Sequence, residues 1–99
     1  MKLKLKQPIL NLKNEQLESE GEPLTLGMVL ANMVLLPHKD KDGFRPLKAY
    51  DLAQRFYKEE EIELDLADFV QLKELAENEQ SLMPLVAAQV LKMINEVKE

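Results

Sequence analysis

Few side chains in this 99-residue chain are of a kind and spacing that could do chemistry. The single histidine, His38, stands beside Asp40 and Asp42 in the string His38-Lys39-Asp40-Lys41-Asp42-Gly43, which has the outline of a calcium loop. The pattern fails at its ends: the first ligand position holds His38, and the twelfth holds Ala49 where a bidentate glutamate is needed. The interleaved lysines would also repel a cation. Ser19, Ser81 and Thr25 are the hydroxyls at hand for a nucleophile. Thr25 and Ser81 sit where helix caps are expected, and Ser19 has no elbow glycines around it. The acids from Glu59 to Glu63 form a solvated link rather than a pair of carboxylates set apart by environment. No phosphate-binding glycine loop or dinucleotide fingerprint is present. The inventory therefore predicts a protein that is not an enzyme, with no cofactor and no bound metal.

Charge is the next resource. The net charge is -5, yet residues 1–13 carry Lys2, Lys4, Lys6 and Lys13 and no acid. A basic strip on an acidic body can orient an anionic partner. Lys2, Lys4, Lys6, Arg45 and Arg55 are the candidate contacts for a small anion such as a nucleotide. The acidic balance argues against general nucleic-acid binding, which depends on Lys and Arg at phosphates. The last two helices have the spacing of a DNA-reading pair, but the second opens with Leu82, Met83, Pro84, Leu85 and Val86, none able to reach a base edge. DNA is excluded as a partner.

Those groups must be held by a small apolar scaffold. Apolar residues make up 45% of the chain and aromatics 5%, with no Trp and no Cys, so no disulfide or thiolate chemistry is available. The size suits one domain spanning 1–99. The first twelve residues alternate, with Leu3 and Leu5 opposed to Lys2, Lys4 and Lys6, which predicts a β-hairpin over 1–20 turning at Lys13-Asn14-Glu15. Glu18 to Pro23 reads as a polar connector. Helical spacing predicts helices over 25–36, 46–58, 65–77 and 82–97. Their signals are Thr25, Asp65 and Ser81 as caps, Pro46 and Pro84 in first turns, and Pro37 as a stop. The expected fold class is α+β, mainly α: a hairpin followed by about four packed helices.

The first helix is apolar on more than one face, and its Gly27 would permit close approach of another backbone. On the second, Leu47, Tyr50, Ala53, Phe56 and Tyr57 are expected to face inward, and Asp51 is spaced to pair with Arg55. On the fourth, Leu85, Ala88, Leu91, Met93, Ile94 and Val97 form the expected inward stripe. Met28, Leu35, Leu36, Leu82, Met83, Val86, Val90 and Met93 remain as an apolar surplus on helices one and four. Such a methionine-rich surplus is a candidate interface for a protein partner or for self-association. A membrane span is not expected: between Pro23 and Pro37 the run is shorter than the ~20 residues a bilayer needs, and it holds Asn32. No leader is visible at Met1-Lys2-Leu3, which points to the cytoplasm.

Five stretches together resemble small uncharacterised proteins of bacteriophages and prophages: KLKLK at 2–6, LTLGMVLANMVL at 24–35, PLKAYDLAQRFY at 46–57, IELDLADFVQLKEL at 62–75 and MPLVAAQVLKMI at 83–94. Where those proteins often turn on Asp-Gly between their first strands, this chain has Leu12-Lys13-Asn14-Glu15. The resemblance implies a phage-encoded protein acting in the host cytoplasm, and it transfers no functional residues. The resulting expectation is an accessory protein acting by protein–protein contact, on a host protein or in assembly. A tail-assembly chaperone and an oligomeric binder of a small anionic nucleotide are the alternatives.

Overall fold

The most apolar stretch of the chain folds as helix α1 (Leu26–Leu35). Thr25 is its N-cap, in extended conformation, with Oγ1 accepting the Met28 N–H at 3.4 Å. The two preceding amides are satisfied by the N-terminal segment: Leu26 N–H donates to the Gln7 carbonyl and Gly27 N–H to the Leu5 carbonyl, at 2.9 and 2.8 Å. The start of α1 therefore offers no spare donors to an anion. Leu36 leaves the helix extended, as the residue before a proline does. The computed structural model describes residues 1–36, 44–78 and 83–97. Among these lie β1 (Lys2–Lys4), β2 (Glu18–Ser19), β3 (Glu22–Pro23), α1, α2 (Pro46–Lys58), β4 (Glu61–Glu63), α3 (Leu66–Asn78) and α4 (Pro84–Asn95). The arrangement is α+β and mainly α.

The N-terminal pairing differs from the expected local hairpin. The reversal near Asn14 is present: Asn14 has φ 64°, Leu10 bridges Gln16, and Asn11 Oδ1 accepts the Lys13 and Glu15 N–H groups. The ladder partner of β1, however, is β4, antiparallel, with Lys2 opposite Glu63, Leu3 opposite Ile62 and Lys4 opposite Glu61. Leu3, Leu5, Ile62 and Leu64 are buried beneath it, while the lysines and glutamates face solvent. Both segments alternate with period two, and opposite charges on the outer face favour this register over a local fold-back. The segment 18–23 is itself a tight hairpin, β2 against β3. Its two loop residues, Glu20 (φ 53°) and Gly21 (φ 82°), both take the left-handed conformation that suits strand twist.

Gly27 sits against the end of α2, so α1 and α2 run side by side in opposite directions. A Cβ on Gly27 would come within 2.2 Å of the Phe56 carbonyl oxygen. The expected close approach at this glycine is thus made by α2. Lys48 Nζ donates to Asp68 Oδ1 at 2.6 Å and joins the first turns of α2 and α3. Asp65 caps α3, its Oδ1 accepting the Asp68 N–H at 2.8 Å. Helix α4 opens at Pro84 with Met83 as an N-cap that makes no side-chain bond. The expected cap, Ser81, lies outside the described residues. Arg55 pairs with Glu59 at 2.9 Å, one turn onward, rather than with Asp51.

The core is drawn from every helix and from the β1–β4 ladder. Leu3, Leu5, Ile9, Leu26, Leu30, Met33, Leu72, Val90 and Ile94 are wholly buried. Burying each large side chain contributes about 1.5–3 kcal/mol, so α1, with Leu26, Leu30 and Met33 wholly buried and Val29 and Val34 nearly so, supplies much of the cohesion. Among the described residues no polar or charged side chain is buried. One polar contact fixes α4 to the N-terminal segment. Leu10 N–H donates to Gln89 Oε1 at 2.8 Å, and Gln89 Nε2 donates to the Leu10 carbonyl at 2.7 Å. The amide side chain pairs with Leu10 as a neighbouring strand would.

Candidate interaction surface

The site is built by the two antiparallel helices α1 and α2. On α1 the residues that are not fully buried are Met28, Asn32, Leu35 and Leu36, which recur at helical spacing and form one stripe. Leu35 is 54% and Leu36 36% exposed, and Met28 is half-buried. On α2 the inward face is Ala49, Leu52, Ala53 and Phe56. This corrects the expected face: Leu47, Tyr50 and Tyr57 point outward, at 87%, 58% and 49% exposure. The reason lies in size. Gly27 and Ala31 on α1, and Ala49 and Ala53 on α2, are buried small residues, so the helices meet where their side chains are shortest. Rolling α2 to bury Leu47 and Tyr50 would drive bulk into that contact.

Tyr57 and Met28 border the same shallow hollow, together with Lys6, Glu22, Pro23 and Thr25. The outward flank of α2 therefore meets the open stripe of α1 at Tyr57 and Met28. Its polar points are fixed. Tyr57 Oη donates to Glu22 Oε2 at 3.0 Å, and Tyr50 Oη accepts from Gln54 Nε2 at 3.0 Å. The hydrogen bond to the Glu22 carboxylate, reinforced by its charge, holds the Tyr57 hydroxyl above its ordinary value. Helical spacing alone places both tyrosines on the inward face of α2. The signal that separates them is the spacing of Ala49 and Ala53, the short residues a close helix pair requires.

The candidates on α4 do not join this face. Val90 is wholly buried and Val86 is 8% exposed, so both belong to the core and neither is available to a partner. Val86, Val90 and Ile94 form the inward stripe. Leu85 and Leu91 are half-buried, and Ala88 is exposed. Met93 is half-buried against the core, Met83 is exposed at the helix start, and Leu82 lies outside the described residues.

The five candidate anion contacts are not gathered either. Lys2 and Lys4 face the β4 acids across the ladder, with Lys2 Nζ 4.0 Å from Glu61. Lys4 and Lys6 do share one hollow, lined also by Gln7, Glu60 and Glu61, and Lys6 borders a second hollow beside Glu22. Arg55 is held by Glu59, and Arg45 lies at the opposite end of α2. Lys4 and Lys6 thus come together only beside two acids, and Lys2, Arg45 and Arg55 are not among the residues lining their hollow. The His38–Gly43 string lies outside the described residues. Among the described residues no three His, Asp or Glu groups are placed to hold a metal, and no helix is long and apolar enough to cross a membrane.

No family model, curated protein or solved structure matches the chain.

Proposed function

We propose that the protein acts without catalysis, by protein–protein contact through the face shared by α1 and α2. One observation carries this reading. A small acidic domain keeps Met28, Leu35, Leu36, Tyr50 and Tyr57 on its surface although its core is already well supplied with apolar residues. Exposed single hydrophobic residues are ordinary, but a run of them across two adjacent helices is typical of contact surfaces. Tyrosine strengthens the case, because it gives a large rigid contact area with a polar tip. The phage-like sequence pattern supports a role as an accessory protein in a host cytoplasm, bound to a host protein or to an assembling particle.

Native mass spectrometry of the protein from expressing cells tests this, with a Leu35→Lys/Tyr50→Lys double variant alongside. Both positions are exposed, so folding should be retained, with stability changed by about 0.5 kcal/mol or less per site. The wild type should carry a bound partner and the variant should not. A bare wild-type monomer, or a partner retained by the folded variant, overturns the reading.

A further inference from the structure

We infer that the outer edge of β4 is a second contact surface, apart from the α1–α2 face, and that it takes an extended segment of a partner protein in which Lys or Arg alternates with apolar residues. The hydrogen-bond pattern locates the edge. Leu64 N–H donates to the Met1 carbonyl at one end of the ladder and Leu5 N–H to the Glu60 carbonyl at the other, both at 2.8 Å. Antiparallel strands alternate bonded and non-bonded pairs. Leu3 with Ile62 is therefore the bonded pair between these ends, and Lys2 with Glu63 and Lys4 with Glu61 are the non-bonded ones. The backbone N–H and C=O of Glu61 and of Glu63 point away from β1. Among the described residues β1 is the one strand paired with β4, and no other group bonds to this edge. An incoming strand would meet donors and acceptors in line.

Charge selects the strand. Glu59, Glu60, Glu61, Glu63 and Asp65 are all exposed, and no basic residue lies between 59 and 65. Arg55 is engaged with Glu59, and Lys2 comes only to 4.0 Å from Glu61. Glutamates guard an edge against strands of like charge and favour strands of opposite charge.

Parity sets the pattern. Residues opposite one another in a ladder point to the same face of the sheet. Those opposite Glu61 and Glu63 join the glutamates on the solvent side, which favours Lys or Arg. The residue between them falls on the side where Ile62 is buried, which favours an apolar one. Lys2-Leu3-Lys4 already meets this description on the inner edge of β4, and the occupant is a second strand of that kind.

Other occupants fit poorly. A helix has its own backbone groups already paired, and a nucleic acid is repelled by the acids. A second copy of the chain would bring glutamate to glutamate through its β4. Through its β1 it offers an incomplete edge, because the outward Lys4 carbonyl already accepts Gln7 Nε2 at 2.8 Å.

The test is a titration of the isotopically labelled full-length chain with a short capped peptide of alternating Lys and Val, followed through the backbone amides by NMR. The Glu61 and Glu63 amides should shift saturably, and their hydrogen exchange should slow by about tenfold or more. A peptide of alternating Glu and Val should leave them unmoved. Two further peptides separate strand addition from charge attraction alone. Methylating the backbone nitrogens of the lysines removes the donors meant for β4 and should weaken binding by about tenfold or more. Methylating those of the valines, which face away, should spare it. Equal effects of the two methylations would reduce the contact to charge and overturn the inference. The reverse preference would overturn it as well, as would shifts confined to β1, or no saturation below about 1 mM. Shifts of the Glu61 and Glu63 amides that grow with protein concentration alone would give the edge to a second copy, and the inference would fall.

Discussion

Gly27→Ala puts a methyl group at the tightest point of the fold, and two opposed effects decide its outcome. By intrinsic preference the change helps: alanine in place of glycine favours a helix and restrains the unfolded chain, together by up to about 1 kcal/mol. Sterics oppose it. The new carbon would lie 2.2 Å from the Phe56 carbonyl oxygen and 3.1 Å from both Cβ and O of Leu5. It would fall more than about 1 Å short of an ordinary contact with Phe56. The obstruction is backbone in the last turns of α2, which cannot swing aside as a side-chain tip can. Relief requires α2 to retreat, and that disturbs the buried Phe56 ring and the 2.8 Å bond from Gly27 N–H to Leu5. Overpacking of this kind costs about 1–3 kcal/mol and sometimes more. The net expectation is a loss of about 1–2 kcal/mol, or a fall in Tm of roughly 5–15 °C for a domain of this length. Urea unfolding followed by circular dichroism measures it, with the midpoint lowered and the slope unchanged. A variant as stable as the wild type, or more so, would mean that α1 and α2 do not touch at Gly27, and the packing account of the exposed tyrosines would fall with it.

Four further outcomes are expected. Val86→Asp places an unpaired carboxylate in the core and should unfold most of the population at neutral pH, a loss of about 4 kcal/mol or more; a folded variant by circular dichroism would contradict the burial of Val86. Gln89→Ala strips both partners from the Leu10 backbone and should cost about 2–3 kcal/mol in chemical denaturation. Gln89→Glu keeps the acceptor but sets a carboxylate against the Leu10 carbonyl, so its deficit relative to wild type should shrink as pH falls and the acid becomes a donor. For Tyr57, the folded-state value is raised, so the bond to Glu22 is intact below the ordinary tyrosine range and is lost as pH rises through the raised value. Ultraviolet titration should find one tyrosine ionising late in the wild type and at its ordinary value in Glu22→Gln; an unchanged titration would remove the bond from the account.

Local signals in the sequence located the helices and most of their ends. Thr25, Pro46 and Asp65 act where their chemistry places them, and the Phe69, Leu72, Leu75 and Ala76 stripe of α3 is buried as its spacing predicts. What local signals do not carry is rotation and partnership. Apolar residues on α2 fit two overlapping helical frames, one through Leu47 and Tyr50 and one through Ala49 and Leu52, and only the small residues across on α1 choose between them. On α4 the frame through Val86, Val90 and Ile94 prevailed over that through Leu85, Ala88 and Leu91. The alternation at Lys2–Lys6 marks a strand, yet its partner lies far along the sequence, beyond two helices, where a matching alternation reads Glu61-Ile62-Glu63-Leu64. Half of the candidate surface followed from the sequence, because Met28, Leu35 and Leu36 stand on one stripe of α1. The tyrosine half did not, because an aromatic at helical spacing belongs equally well to a core or a rim.

The charged ladder of β1 and β4 also governs how copies of this chain can meet. Each strand has a single partner, so each has an outer edge whose backbone could take on another strand. Joining β1 to β1 of a second copy would set lysine against lysine, and joining β4 to β4 would set glutamate against glutamate. Both symmetric closures are thus penalised. The attractive pairing, β1 on β4 of the next copy, is head-to-tail, and three-residue strands give it little length to hold. The same charges that pair the two strands within the chain thereby disfavour symmetric strand pairing between copies. Added salt, by screening them, removes the repulsion that blocks symmetric pairing and loosens the attraction behind the head-to-tail one.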